Sequence, residues 1–204
     1  KNSENPAEAP LAYRMSPRTL DEYIGQKHIL ADGKLLKRAI DSDRITSLIL
    51  YGPPGTGKTA LARIIASKTK AHFQWLNATT LNIDEIRRNL IAARQRKNKG
   101  EKTILFIDEI HRLNRVSQDA LLPDIEEGNI ILIGATVENP FFYLNSALLS
   151  RSHVFELKPL SEKEIITIIK RALTDKERGF GRLKVEVTDE AMSHLAKASD
   201  GDAR

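Results

Sequence analysis

The fold of this 204-residue chain is indicated first by one stretch, Gly52-Pro53-Pro54-Gly55-Thr56-Gly57-Lys58-Thr59. It matches G-x-x-x-x-G-K-[ST] in full, after the short apolar run 48–51 and before a helical pattern at 58–69. Glycines let the backbone wrap around phosphate oxygens so that successive N–H groups point inward, and a helix start adds positive potential there. The stretch therefore predicts a loop that binds the phosphates of a nucleotide.

The chemistry of this loop assigns roles to its last residues. The Lys58 ammonium is placed to reach the β- and γ-phosphates, and the Thr59 hydroxyl is placed to bind Mg²⁺. The alternative is a tight glycine turn without a ligand, and the register of strand, motif and helix argues against it. The predicted nucleotide-binding set is Gly52, Pro53, Pro54, Gly55, Thr56, Gly57, Lys58, Thr59 and Ala60.

A second motif, Ile104-Leu105-Phe106-Ile107-Asp108-Glu109, places two carboxylates at the end of an apolar run. Ligands of α/β sheets bind at the carboxyl ends of strands, so Asp108 is predicted to hold Mg²⁺ and Glu109 to polarise the attacking water. An acidic pair at a strand end is often only a helix-capping pair, and the phosphate loop upstream favours the catalytic interpretation. A kinase needs no acid directly after the Mg²⁺ carboxylate, so the pair indicates a hydrolase.

Short apolar runs alternate with helical patterns along the chain, which is typical of a parallel sheet covered on both faces. The predicted fold is α/β, a five-stranded parallel P-loop NTPase core with helices on both sides. Capping-box spacing at 19–22 also predicts a short helix near Tyr23 and Ile24. The predicted strands lie at 48–51, 73–77, 104–108, 130–136 and 154–157, and the two clearest helices at 58–69 and 84–97.

The pattern changes after Pro159, where capping signals at 161–164 and 188–190 open two further helices. We therefore predict a flexible lead-in over 1–12, a nucleotide-binding core over 13–159 and the start of a small helical lid domain over 160–204. The sequence begins without methionine and stops within a helical pattern, so we expect it to be part of a longer protein.

Composition limits the function classes. The 32 basic and 27 acidic residues give a net charge of +5, which suits a polyanionic partner such as DNA and suits ordinary solubility equally well. There is no cysteine for disulfides or thiolate metal sites, and this fits a reducing cytoplasmic compartment. No apolar run reaches the length of about 18 residues that a membrane helix needs.

Three weaker signals leave alternatives open. The basic stretch 87–102 fits a solvated helix face or contacts with DNA phosphates. Phe73 and Trp75 lie within a strand, where a core position is expected rather than a platform for stacking bases. The five histidines show no metal-ligand spacing, and His111 is expected to be structural or to shape the site around Asp108.

Five further segments carry a family resemblance: PLAYRM (10–15), LDEYIGQ (20–26), IGAT (133–136), ENP (138–140) and LNSALLSR (144–151). Together with the two motifs above, they resemble the AAA+ ATPases and, in their detail, the RarA/MgsA family of replication-associated recombination proteins. That family is related to the Werner-helicase-interacting ATPase of eukaryotes. The resemblance covers 10–204, and the chain departs from it at Ser16, Asp124 and Val137, where arginine, histidine and threonine are usual.

The resemblance implies site residues that the motifs alone do not. Tyr23, Ile24 and Gly25 would lie beside the adenine ring, and Arg204 would be the lid arginine that senses the γ-phosphate.

At the end of the fourth strand the resemblance places a polar sensor, Asn139 or otherwise Thr136. Arg151 would be the arginine finger that completes the site of a neighbouring subunit, a contribution of several powers of ten in turnover in enzymes of this kind.

The implied function is a Mg²⁺-dependent, DNA-associated ATPase of replication, recombination and stalled-fork repair, converting ATP to ADP and phosphate. It would act as a homo-oligomer assembled through C-terminal segments beyond this sequence, in the nucleoid-associated bacterial cytoplasm. Single-stranded or fork DNA, single-stranded DNA-binding protein and replisome components would be its partners.

Two alternatives within the same ATPase class are a clamp-loader-like subunit and a branch-migration motor. A different class holds protein-remodelling ATPases and ATP-gated interaction modules. The loop 77–83 lacks the aromatic residue that polypeptide-threading loops usually carry, and an inert module would be expected to lose Lys58 or Glu109.

Overall fold

The computed structural model describes residues 9–183 and 185–204, so the first eight residues of the predicted lead-in lie outside the described part. Five strands form one parallel sheet in the order β2-β3-β4-β1-β5. Each predicted strand is confirmed to within one residue at either end. The strands are β1 (Leu48–Tyr51), β2 (His72–Asn77), β3 (Thr103–Asp108), β4 (Ile131–Thr136) and β5 (His153–Glu156).

Helices cover both faces of this sheet, as predicted. Those before β5 are α1 (Leu11–Arg14), α2 (Lys27–Leu30), α3 (Leu35–Asp41), α4 (Lys58–Lys68), α5 (Ile83–Lys97), α6 (Arg115–Glu126), α7 (Pro140–Tyr143) and α8 (Ser146–Leu149), with a 3₁₀ turn at Ile110–Arg112. After β5 come α9 (Glu162–Thr174) and α10 (Asp189–Ala198). No helix within 9–183 or 185–204 has the length and apolar character to cross a membrane.

The alternation of side chains along a strand divides the apolar residues between two cores. Leu48 and Leu50 of β1 pack in one core with Leu61 and Ile65 of α4, whereas Ile49 packs in the other, beneath α5 and α6. Both faces of the central strands are therefore removed from water. This is why those strands are apolar without interruption.

The edge strand β2 differs from the central strands. Phe73 packs against Phe106 of β3, with ring centroids 5.7 Å apart. Trp75 is 43% exposed, so its predicted core position is wrong. A strand at the sheet edge has a neighbour on one side only, and its large side chains are covered incompletely.

The helix predicted near Tyr23 and Ile24 is also wrong, because the segment 19–22 forms turns and the next helix begins at Lys27. Thr19 Oγ1 does accept from the Glu22 N–H at 3.3 Å. The Glu22 carboxylate, however, accepts from the Arg18 N–H and from the Arg178 guanidinium instead of closing a capping box.

Both later capping predictions are confirmed. Ser161 and Glu164 form a complete capping box at the start of α9, and Thr188 Oγ1 accepts from the Ala191 N–H at the start of α10. The two helices share a small apolar cluster built on Leu160, Ile165 and Ala196. The domain boundary at 159/160 stays a prediction.

Candidate functional site

The loop 52–57 connects β1 to α4 in a conformation that depends on glycine. Gly57, directly before the first residue of α4, has φ +94°, a region that residues with a side chain rarely adopt. A Cβ at this position would also lie 2.5 Å from the Tyr23 hydroxyl oxygen. The backbone therefore turns into the helix at a point where no side chain fits.

Lys58 is the first residue of α4, and its side chain is folded back onto the loop. Its ammonium group donates to the carbonyl oxygens of Gly52 at 2.7 Å and Pro53 at 2.8 Å. Burial, and then the positive charge of Arg204, lower the pKa of Lys58 to about 8. An anion placed beside this amine would favour its charged form.

The two acids lie where β3 ends. The Asp108 carboxylate accepts from the Glu109 N–H at 3.1 Å, and burial, followed by the neighbouring Glu109 charge, raises the pKa of Asp108 against that hydrogen bond. Glu109 has φ +54°, which is unusual for a residue other than glycine. The 3₁₀ turn Ile110–Arg112 begins directly after it, so β3 ends in a turn at the edge of the cleft.

One cleft of about 1370 Å³ brings most of the predicted site together. Lys58 and Thr59 line it from the phosphate loop, and Asp108 and Glu109 line it from the end of β3. Its lining also includes the predicted residues Tyr23, Ile24, Pro54, Gly55, Thr56, Gly57, Ala60 and Arg204.

Tyr23 closes the cleft beside the phosphate loop. Its hydroxyl donates to the Thr56 carbonyl oxygen at 3.1 Å, and burial raises the pKa of Tyr23. Its ring therefore stays neutral, with its polar end satisfied by the loop.

The segment after α10 also contacts the phosphate loop. The Ala203 N–H donates to the Gly55 carbonyl oxygen at 3.3 Å, and a Cβ on Gly55 would lie 1.8 Å from Asp202 Oδ1. Arg204 reaches the cleft from this segment. The segment after α10 is thus packed directly against the phosphate loop.

Three predicted binding residues lie behind the cleft lining. Gly52 and Pro53 present carbonyl oxygens to Lys58, and Gly25 makes a turn at φ +86°. A Cβ on Gly25 would lie 2.4 Å from Leu160 Cδ2, so Gly25 allows close packing against the segment after β5.

Of the four residues predicted to sense the phosphate or act in trans, Arg204 lines the cleft, whereas Thr136, Asn139 and Arg151 lie outside the lining. The Thr136 hydroxyl is buried 2.9 Å from His111 Nδ1, and Asn139 is exposed and caps α7 by accepting from the Phe141 N–H. Arg151 follows α8 and pairs with Glu126. Their roles stay predictions.

Three residues in or beside this site were missed from the sequence. Gln26 is buried, and its amide exchanges hydrogen bonds with both the N–H (2.9 Å) and the carbonyl (2.7 Å) of Lys158. Asn77 ends β2 in register with Asp108 and lines the cleft. Arg178 also lines the cleft. A polar residue at the end of a predicted strand was the available signal for Asn77, whereas Gln26 and Arg178 depend on partners distant in sequence.

Comparison with known proteins agrees with this geometry. Residues 15–143 match the family described as the P-loop domain of the Holliday junction DNA helicase RuvB. The chain belongs to this family.

Relatives of this RuvB-type domain confirm the resemblance to the RarA/MgsA family. Replication-associated recombination protein A of Escherichia coli K12 is 51% identical over 195 residues, covering 96% of this chain and 44% of that protein. The Bacillus subtilis protein of the same name is 45% identical, with 96% and 45% covered. ATPase WRNIP1 of Dictyostelium discoideum is 46% identical over 196 residues, covering 96% of this chain and 22% of that protein. The chain thus spans less than half the length of these relatives.

Solved structures confirm the AAA+ core. The RuvB Holliday junction branch migration motor of Thermotoga maritima aligns with a TM-score of 0.72 and 33% identity, covering 94% of this chain and 62% of that one. A second Thermotoga maritima RuvB structure aligns with a TM-score of 0.75 and 32% identity, covering 93% and 62%.

Proposed function

We propose that this chain is the ATP-binding and ATP-hydrolysing core of a DNA-associated ATPase acting in replication, recombination and stalled-fork repair. The observation that carries the proposal is the convergence of Lys58, Thr59, Asp108 and Glu109 on one cleft. A cation, a hydroxyl and two carboxylates in this arrangement are the parts that phosphoryl transfer to water requires.

The donor set at the cleft fits Mg²⁺. The Thr59 hydroxyl and the Asp108 carboxylate both line the cleft, and oxygen donors of these two kinds are the ligands that Mg²⁺ takes beside nucleotide phosphates. When bound, Mg²⁺ supplies positive charge to the β- and γ-phosphate oxygens. The loop amides, the N-terminus of α4 and Lys58 would hold the same phosphates from the other side.

Glu109 would act on the nucleophile. Its carboxylate can accept a hydrogen bond from a water molecule in the cleft and orient that water for in-line attack on the γ-phosphate. The Lys58 ammonium group is buried within the loop, and bound phosphates would place negative charge beside it. Tyr23, Ile24 and Gly25 would lie on the adenine side of the cleft.

The remaining predicted residues would act in the site of a neighbouring copy or as sensors of the γ-phosphate. Arg151 lies outside the cleft of its own chain, which supports a role as arginine finger in the site of a neighbouring copy. Asn139 or Thr136 would sense the γ-phosphate, and Arg204 would do so from the predicted lid domain over 160–204. We propose a homo-oligomer that binds single-stranded or fork DNA in the bacterial cytoplasm, close to the nucleoid, with single-stranded DNA-binding protein or replisome components as partners.

A branch-migration motor is the second candidate. The match to the RuvB P-loop family and the shared fold favour it. The relatives named replication-associated recombination protein A favour the first candidate, since their identity to this chain is 45–51% against 33% for the RuvB motor.

The experiment is ATP turnover by the complete protein, with single-stranded DNA, fork DNA or a Holliday junction added across a salt titration. We expect turnover that depends on Mg²⁺ and rises with single-stranded or fork DNA, with the rise weakening as salt increases. Turnover that responds to the junction alone, with junction movement, would favour the motor. No turnover under any of these conditions would refute the proposal.

A further inference from the structure

The Glu109 carboxylate has a specific neighbour that the hydrolytic scheme above does not use. His111 Nδ1 lies 3.5 Å from Glu109 Oε2, and the His111 side chain is only 7% exposed. Glu109, with its unusual φ of +54°, lies beside this imidazole and also lines the cleft. A carboxylate that must orient water benefits from a partner that limits its own rotation.

The imidazole is held firmly on the sheet. The 3₁₀ turn that carries it is anchored by Ile110, which is fully buried against Gly134 of β4. A Cβ on Gly134 would lie 2.6 Å from Ile110 Cδ1, so the Ile110 side chain can pack here because residue 134 is glycine. The Tyr143 ring meets the His111 ring edge-on, with centroids 5.6 Å apart.

The two polar neighbours of His111 Nδ1 favour the tautomer that carries a proton on this nitrogen. Thr136 Oγ1 accepts from the Glu138 N–H at 3.0 Å, and its own proton can be donated to the Glu138 carbonyl oxygen at 3.4 Å. His111 Nδ1 lies 2.9 Å from the same Thr136 oxygen, which can donate or accept, and 3.5 Å from the Glu109 carboxylate, which only accepts when ionised, so a protonated Nδ1 suits both neighbours. That Nδ1–H faces both Thr136 and the Glu109 carboxylate.

We propose that His111 is a positioning residue for Glu109. Its Nδ1–H, fixed by Thr136, restrains the Glu109 carboxylate and connects it to the end of β4, the strand that precedes the predicted sensor Asn139. The inference rests on the proposed ATP hydrolysis. His111 itself touches neither nucleotide nor water in this scheme.

The test compares His111→Leu, which removes the donor, with His111→Asn, whose amide N–H occupies nearly the position of Nδ1. Leu should lower kcat of the complete protein about 10- to 100-fold while nucleotide affinity is unchanged, because a misdirected catalytic group costs rate rather than binding. Asn should restore most of kcat. His194→Leu, on the exposed surface of α10, is the matched control and should behave like the wild type.

Should His111→Leu fail to fold, the comparison passes to His111→Asn and His111→Gln, because Gln places its amide near the Nε2 position instead. Only Asn should then be active. The inference is overturned when His111→Leu keeps the wild-type kcat, when Asn is as impaired as Leu or Gln, or when nucleotide affinity falls in parallel with kcat. A wild-type protein without turnover, or full turnover in Glu109→Gln, would instead refute the proposed function.

Discussion

At the scale of single residues, the site depends on groups held in unfavourable states. Glu109 adopts a left-handed backbone, and Lys58 is buried with carbonyl oxygens as its hydrogen-bond partners. Such arrangements reduce the stability of a protein and persist where the surrounding structure enforces them. In this chain both face the same cleft, where a bound triphosphate and a water molecule would use them.

The first residue-scale prediction concerns Glu109→Gln. The amide preserves size and hydrogen bonding and removes the charge that polarises water, so turnover should fall about 100-fold or more while ATP binding persists. Parallel titrations with a fluorescent ATP analogue and phosphate-release assays measure the two quantities. Loss of nucleotide affinity in this variant would mean that Glu109 is structural.

The second concerns pH and Lys58, whose pKa of about 8 is lowered chiefly by burial. Bound phosphates favour the ammonium, so the pKa in the complex is higher than in the free protein. Nucleotide affinity should therefore be insensitive to Lys58 well below pH 8 and decrease as pH rises above 8, by at most about tenfold per pH unit. Calorimetric titration with ADP between pH 7 and 9.5 gives this curve.

Lys58→Arg is the matched control, because a guanidinium stays charged throughout this range. Its affinity should be weaker and nearly flat with pH. A slope in Lys58→Arg equal to that of the wild type would assign the pH dependence to another group.

At the scale of elements, α5 and α6 are joined by one buried carboxylate. The Asp124 side chain is 0% exposed, and it accepts from Arg94 Nε at 2.7 Å, Arg94 Nη2 at 2.8 Å and Asn129 Nδ2 at 2.9 Å. The Arg94 guanidinium lowers the pKa of Asp124. This is the position where the family resemblance led us to expect histidine, and the acid has a complete set of partners here.

We predict that Arg94→Ala lowers the free energy of unfolding, since it leaves the buried Asp124 carboxylate without its main partner. Arg88→Ala, at an exposed position on the same helix, should change the free energy of unfolding by less than about 0.5 kcal/mol. Because the folded pKa of Asp124 is below the unfolded one, its contribution is present above about pH 4 and is lost as pH falls through the folded value. Urea titrations at pH 7 and at low pH measure both effects, and equal losses in the two variants would contradict the assignment.

The elements also show what local sequence can predict. The strands could be predicted because neighbouring residues such as Leu105 and Phe106, which face opposite sides of the sheet, must both be apolar when both faces are covered. The turn at Glu22 could not be predicted, because the Glu22 carboxylate accepts a hydrogen bond from Arg178, which lies 156 residues away in the sequence. Lys58, Asp108 and Glu109 were predictable from phosphate chemistry. The contact between His111 and Thr136 was not, because it depends on how β3 and β4 are placed side by side.

At the scale of the whole molecule, a long-range clasp of Glu22, Arg171 and Arg178 joins the N-terminal segment to α9 and the loop after it. Arg178 donates to both carboxylate oxygens of Glu22, at 3.0 and 3.3 Å, and Arg171 donates to the Glu22 carbonyl oxygen. All three residues line the nucleotide cleft. The clasp therefore bridges the two segments that enclose the cleft on the side of Tyr23.

Arg178→Ala should lower the free energy of unfolding by about 1–2 kcal/mol, because its hydrogen bonds to Glu22 are charge-assisted and largely shielded from water. It should also weaken nucleotide binding, because both residues line the cleft. In a double-mutant cycle with Glu22→Gln, we expect a coupling energy of at least about 0.5 kcal/mol. Arg182→Ala, in the same loop and exposed, is the control. Additive effects of Arg178→Ala and Glu22→Gln would show that the two side chains do not act together.

The half-exposed edge residue Trp75 has a practical consequence, since it is the single tryptophan of the chain. Its indole stands two residues before Asn77, which lines the cleft. Intrinsic fluorescence excited at the red edge of absorption thus arises from one known place in the molecule. A change in this fluorescence would report ligand binding in the cleft, or contact of another macromolecule with this edge of the sheet, without any attached dye.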